Sequence, residues 1–483
     1  MRAFLDAAGY TRDSVRAALR SDQLLSAQPG EVLILERRLT GRSRLEALIR
    51  LFLIGQTVDR AEARASLGAA GLGELDAVGL LERAGAGIRA TVRLVPHGDI
   101  VVACDRAYYA DRYHQGAEVV SGVTSPAILL ADLTVRKQVR SALDLGTGGG
   151  IQALLLAKHC ERVVAVDVNP RALEFARMNA ALNGIENIDP RLGSWFEPVA
   201  GERFDIITAN PPYVMSPDST FLYRDSGMKA DSLCRQIVRE MPAHLEEGGF
   251  GHVLISWALH DGEEWSSHLR SWVSGLGCDA WLLHYLTEDP LTQAGKWNQP
   301  LAAESLETYG AALDRWTDYY RREGIDQIAF GAVVLRRRSG VDNWVRADSF
   351  RAGRGSSAGL ILRVFEAEDF LGTLGDEKAL LDEKFDLVPE HRLEQRLRSS
   401  EGEWRQEEAT LTLTQGISFS GGLDVTTAQL LIHLDGRRTL SQAIADTSRE
   451  LALDADDADT LASTGLAMAN RLYALGFLVR TPH

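Results

Sequence analysis

Cysteine is scarce in this chain of 483 residues: there are four, at positions 104, 160, 234 and 278. Successive cysteines lie 44 or more residues apart, so no CxxC pair or Cys/His spacing offers a zinc site, and no metal is expected. Four scattered thiols fit a reducing cytosol better than a disulfide framework, which makes a cytoplasmic location the expectation. No apolar run approaches the ~20 residues of a bilayer span. The start, Met1-Arg2-Ala3-Phe4-Leu5-Asp6, acquires an acid too early for a secretion signal. Fixed-period repeats are missing too, which excludes a solenoid. Lysine is absent from residues 1–100, which carry 14 arginines and 12 acids, whereas residues 341–483 carry 15 basic and 24 acidic side chains. The net charge of −15 removes global attraction to a phosphate backbone, so only a local basic face would serve nucleic acid.

What is present is the composition of a globular protein, 45% hydrophobic and 25% charged, long enough for two or three domains. Residues 1–98 read as helices near 44–53, 58–68 and 73–82, followed by strands on either side of Gly85-Ala86-Gly87. That order resembles a winged-helix domain, a packing or docking module. Residues 99–339 alternate strand and helix as an open parallel sheet does. Strands are predicted at 142–146, 163–167, 187–192, 204–209, 250–257, 279–286 and 327–336, and helices at 126–138, 150–159, 171–183, 230–246, 262–274 and 302–323. Ser125-Pro126 opens the first of these helices, with the hydroxyl as cap. Residues 340–483 read as a separate α+β accessory domain with no chemistry of its own.

The chemistry concentrates at two places. Asp144-x-Gly146-x-Gly148-x-Gly150 sits where a strand turns sharply into a helix, and such a bend needs residues without Cβ. A dinucleotide loop would want glycine at 151, where Ile151 stands. The next strand ends at Asp167, 23 positions after Asp144, so strand, helix and strand bring the two acids side by side. Further on, the strand Phe204–Ala209 runs into Asn210-Pro211-Pro212-Tyr213. An amide nitrogen is a poor nucleophile because its lone pair is delocalised. Accepting hydrogen bonds from its NH₂ through Asn210 Oδ1 and the Pro211 carbonyl frees that pair, while two prolines stiffen the loop and Tyr213 offers a ring face.

Together these elements resemble the class I S-adenosylmethionine (SAM) dependent N-methyltransferases. Residues 141–255, with Phe196-Glu197-Pro198, Phe204-Asp205 and Asn210-Pro211-Pro212-Tyr213, look like the release-factor glutamine N5-methyltransferases and the rRNA base N-methyltransferases, leaning toward the glutamine branch. The resemblance implies a seven-stranded Rossmann-like sheet, here with extra N- and C-terminal domains. It implies SAM as cofactor, with Asp144 near the methionyl ammonium and Asp167 on the ribose hydroxyls. Ser194 stands where relatives commonly place an aspartate for the adenine amino group, and Trp195 or Phe196 would cover that ring. The expected cofactor set is Asp144, Gly146, Thr147, Gly148, Gly150, Asp167, Val168, Ser194, Trp195 and Asn210. The expected catalytic set is Asn210, Pro211, Pro212 and Tyr213. Arg224 and Asp225 either orient substrate or pair with each other; Tyr108, Tyr109, Trp257 and the Trp297-Asn298-Gln299 loop either line the pocket or pack.

The acceptor stays open between a protein glutamine, an exocyclic amine of RNA or DNA reached through the N-terminal module, and a small molecule or peptide. A protein that only senses SAM is disfavoured, because a sensor needs no acceptor geometry.

Overall fold

The computed structural model describes every residue except 22–28, 107–117, 219–223, 226–227, 303–304, 341, 352, 354, 401 and 482–483. It divides into two compact units, Met1–Ala131 with Lys137–Asp348, and Asp132–Arg136 with Ser349–His483.

The first unit is built on a sheet of β1 (Val139–Leu145), β2 (Cys160–Asp167), β3 (Ile188–Leu192), β4 (Phe204–Ala209), β5 (Leu245–Leu259), β6 (Cys278–Glu288), β7 (Gln327–Arg337) and β8 (Val345–Ser349). Their order is β8-β6-β7-β5-β4-β1-β2-β3. Strands β1 to β5 run parallel, and β7 is antiparallel to both β5 and β6. The Rossmann-like sheet is the expected architecture, but it is mixed and has eight strands rather than seven. The extra strand hides in sequence because an edge strand alternates polar residues, Arg346 and Asp348 among them. Trp281 of β6 holds it through an indole N–H donated to Asp348 (2.8 Å).

The helices that accompany this sheet are α1 (Ser125–Leu133), α2 (Ile151–Leu156), α3 (Pro170–Leu182), α4 (Ser232–Glu240), α5 (Trp265–Val273), α6 (Pro290–Ala302) and α7 (Leu306–Glu323). Among the described residues five N-terminal α-helices, Arg2–Ala7, Arg12–Leu19, Pro29–Arg38, Arg44–Leu48 and Arg60–Ala77, precede them. Helix α1 is capped one residue earlier than expected, the Thr124 hydroxyl accepting from Ala127 N at 3.3 Å. Helix α6 is an addition. The Trp297-Asn298-Gln299 stretch expected as a loop lies inside it, and the Trp297 indole donates to Gln293 one turn back (3.0 Å).

Residues ahead of the sheet fold onto it. The strand expected after Gly85-Ala86-Gly87 is two strands, Gly87–Ala90 and Arg93–His97. The first joins Leu81–Ala84 and Val58–Asp59 in a small antiparallel sheet, and the second pairs with Ile100–Cys104. Leu5, Phe52, Val102, Leu154 and Phe175 belong to one buried cluster, so the boundary expected at residue 98 falls within a single continuous core. Helix α3 supplies the join. The amide of Asn179, fully buried, accepts from Ala103 N (2.6 Å) and donates to the carbonyls of Ala103 (2.9 Å) and Gly149 (2.7 Å). One turn on, Asn183 accepts from Val101 N (2.9 Å) and donates to its carbonyl (2.8 Å). Two side-chain amides thus serve the Ile100–Cys104 strand as a neighbouring strand would.

In the second unit, strands Lys384–Leu387, Asp435–Thr439 and Leu478–Thr481 form one antiparallel sheet, accompanied by helices Ala358–Thr373, Leu440–Glu450 and Ala455–Ala474. A long hairpin, His391–Ser400 with Glu403–Leu413, continues to a third strand, Ser420–Leu423.

Candidate active site

Three glycines make the bend after β1 possible. Gly146, Gly148 and Gly150 have φ of +66°, +53° and +85°, a region that residues with a Cβ rarely enter. Gly150 also lets α2 approach α3 closely: a Cβ there would stand 3.2 Å from that of Ala176. The bend is sewn to the end of β2, where Gly146 N and Thr147 N both donate to Val166 O (2.9 and 3.0 Å).

Asp167, at the end of β2, receives Gly148 N (2.8 Å) on one carboxylate oxygen and Asn169 N (2.9 Å) on the other. Burial pushes its carboxyl above the usual carboxylate range. Each oxygen keeps a second lone pair, and the residue lines a cavity of about 150 Å³, open to solvent, that the glycine bend walls on one side. Gly146, Thr147, Gly148, Asp167, Val168, Trp195 and Asn210 of the expected set all reach this cavity.

Asp144, Gly150 and Ser194 do not. Asp144 is 1% exposed and lies beneath the bend. Its carboxylate accepts from the hydroxyls of Thr147 (2.7 Å) and Thr208 (2.9 Å), so it braces the bend from below. Burial raises its pKa to about 6. The Ser194 carbonyl accepts from Glu197 N (3.0 Å) and starts a short turn, leaving Gly193 and Trp195 on the wall. Trp195 takes the left-handed conformation, φ +46°. Phe196 is core, its ring stacked 4.5 Å from that of His244.

The opposite wall carries the Asn-Pro segment. A methyl group added at Gly146 would lie 4.0 Å from the Asn210 carbonyl oxygen and 4.0 Å from the Trp195 ring, so the two distant motifs converge. Among the described residues the Asn210 side chain makes no hydrogen bond. Pro212 lines the cavity with it, whereas Pro211 is buried. Tyr213 stands off the wall, its ring edge-on to Phe330 at 6.3 Å, so it packs rather than presenting an open face. Burial raises its hydroxyl pKa.

The remaining expectations divide. Arg224 and Asp225 pair with each other, at 2.6 and 2.9 Å, both nearly buried. Trp257 is fully buried core. Tyr108 and Tyr109 lie outside the described residues, as do Leu222, Tyr223, Ser226 and Gly227. Sequence reasoning missed the segment before α1, where Val120, Ser121 and Thr124 line the cavity. It also missed Asn169, which caps α3 (Arg171 N, 3.0 Å) and donates to Glu118 O (2.9 Å), holding that segment in place. Its Asn-Pro helix start was the available signal.

The Methyltransferase small domain family matches residues 124–260. The chain is 38% identical over 125 residues to the release factor glutamine methyltransferase of Xylella fastidiosa, aligning 23% of this chain with 45% of that protein. It is 32% identical over 138 residues to a putative protein N5-glutamine methyltransferase of Methanocaldococcus jannaschii, aligning 27% of this chain with 68% of that protein. The chain belongs to the class I SAM-dependent N-methyltransferases. A release factor glutamine methyltransferase of Aliivibrio fischeri is 45% identical to this methyltransferase over 94 residues, 19% of this chain and 32% of that protein. The chain thus spans under half the length of the release factor relatives it matches. Residues 7–91 match a Domain of unknown function (DUF7059). No described helix is long and apolar enough to cross a membrane.

Proposed function

We propose that this protein transfers a methyl group from SAM to a planar amide nitrogen, with a protein glutamine side chain first among the acceptors. The observation that carries the reading is the Asn210 amide, without a partner among the described residues, on a cavity wall facing the glycine bend. The cavity suits SAM: it has a carboxylate at a strand end, backbone free of Cβ and an aromatic ring, while the N–H groups of Gly146, Thr147, Gly148 and Gly150 are spent within the protein rather than offered to a pyrophosphate.

When bound, SAM supplies an electrophilic methyl on its sulfonium. Asp167 is the residue for the ribose hydroxyls, and Trp195 with Val168 for the adenine. Asn210 Oδ1, with the Pro211 carbonyl as second acceptor, takes hydrogen bonds from the acceptor NH₂ and draws the nitrogen lone pair out of conjugation. Pro211-Pro212 holds that arrangement before the acceptor arrives, which is where catalysis by orientation gains its rate. The nitrogen loses its proton to water after the new C–N bond forms, so no strong base is needed.

We read the N-terminal helices and their small sheet as winged-helix-like and as a packing module, and residues 340–483 as an accessory domain. The name release factor glutamine methyltransferase carried by several relatives supports the glutamine acceptor. The test is methyl-labelled SAM with a bacterial release factor and, in parallel, with total RNA. Label is expected in the protein, and Asn210→Ala is expected to keep SAM affinity within about threefold while losing transfer by about a thousandfold. Unchanged turnover would falsify the role given to Asn210, and label in RNA would move the acceptor to a base amine.

A further inference from the structure

Strand β7 returns antiparallel between β5 and β6, so the end of β6 and the start of β7 lie at the same sheet edge as the end of β4. Helices α6 and α7 connect β6 to β7 and therefore rise from the edge that carries Asn210. The buried side of α7, with Trp316, Tyr319 and Tyr320, packs with Ala294 of α6 against Val214 and Met215, the two residues that follow Tyr213. Farther along the same segment Asp218 is bound from α7. Arg315 forks onto both of its oxygens (3.1 and 3.0 Å), and the Trp316 indole donates to one of them (2.9 Å). Burial alone would push the Asp218 carboxyl up, but these hydrogen bonds leave it below the usual carboxylate range. Two more ties follow. The Arg224 guanidinium lies 5.5 Å from the Trp316 ring centroid, and Ala230 N donates to the Tyr319 hydroxyl (3.1 Å).

We infer that the α6–α7 hairpin is the element that positions the methyl acceptor, and that Asp218 is the positioning residue through which it sets the Asn210 segment. The inference rests on the methyl-transfer reading above. Pro211 and Pro212 fix their own φ and Ser256 holds the Tyr213 carbonyl, so few free torsions separate the Val214–Asp218 stretch from Asn210 to absorb a displacement. A misplacement of about 1 Å at an orienting group costs on the order of a hundredfold in rate. The hairpin touches none of the bend residues Gly146 to Gly150 through these contacts, so it acts on the acceptor side of the cavity and leaves the donor side alone.

The test compares the full-length protein with Asp218→Asn, and with Arg315→Gln, whose side chain is half exposed and whose loss does not threaten folding. Three quantities are read: SAM affinity by calorimetry, amide hydrogen exchange at residues 213–218, and KM and kcat for release factor methylation. Both variants are expected to bind SAM within about twofold of the parent and to exchange about tenfold faster at 213–218. Their kcat/KM for the acceptor should fall about ten- to a hundredfold. Unchanged exchange overturns the inference, as does a fall in SAM affinity that parallels the fall in transfer, since a merely structural role would give that. If the parent labels no acceptor, the methyl-transfer reading fails on its own. The exchange data then still decide whether the hairpin holds the segment.

Discussion

Two aspartates at neighbouring strand ends have different work because their surroundings differ. Asp167 keeps lone pairs facing the cavity, whereas Asp144 spends its oxygens on two threonine hydroxyls out of reach of solvent. A carboxyl whose pKa is about 6 in the folded protein, against 3.8 when exposed, holds its proton more tightly folded than unfolded. Its contribution to stability is therefore present at low pH and is lost as pH rises from about 4 to 6, by about 3 kcal/mol at most. Asp144→Asn removes that loss. Its melting temperature relative to the parent should climb between pH 4 and 7 and level off above; calorimetric scans that stay parallel across this range would contradict the account. The glycines and Asp167 were legible in the sequence because backbone geometry dictates them. Ser194 and Tyr213 were not, since a turn starting at Ser194 and the ring of Phe330 decide where those side chains stand, and neither is visible in local spacing.

Among the elements, α3 shows how much one helix does for the site. Through Asn179 it fixes both the Ile100–Cys104 strand and the carbonyl of Gly149, in the middle of the glycine bend. Asn179→Ala strips the Ala103 and Gly149 groups of partners in a buried place, where each unsatisfied group costs about 1–3 kcal/mol. A loss of about 3 kcal/mol in urea unfolding is expected, together with weaker SAM binding by calorimetry because the bend loses a fixed point. A variant as stable as the parent would show that water satisfies these groups. The parallel strands and their helices could be read from hydrophobic runs and caps. Helix α6 could not, because Pro290 and Pro300 bracket a segment that reads as loop, and β8 could not, because its polar alternation matches a solvated edge.

For the whole molecule, the charge of −15 sets how it meets partners. An enzyme making six to ten phosphate contacts would lose about 10³–10⁵ in affinity between 50 and 200 mM salt. A protein acceptor predicts far less, under about tenfold in KM over that range, and a steep loss in a methylation titration would point to nucleic acid instead. The division of the chain was legible only in some respects: the composition shift toward acids after residue 340 is visible, while the merging of the first hundred residues with the sheet is not, because it depends on two asparagines of a helix far along the chain. Those asparagines carry a consequence. A fragment beginning at residue 105 would strip the buried Asn179 amide of its Ala103 partners and take away Val102, which lines the donor cleft. The leading portion is thus continuous with the core that backs the cleft, and cutting there removes support from the chemistry.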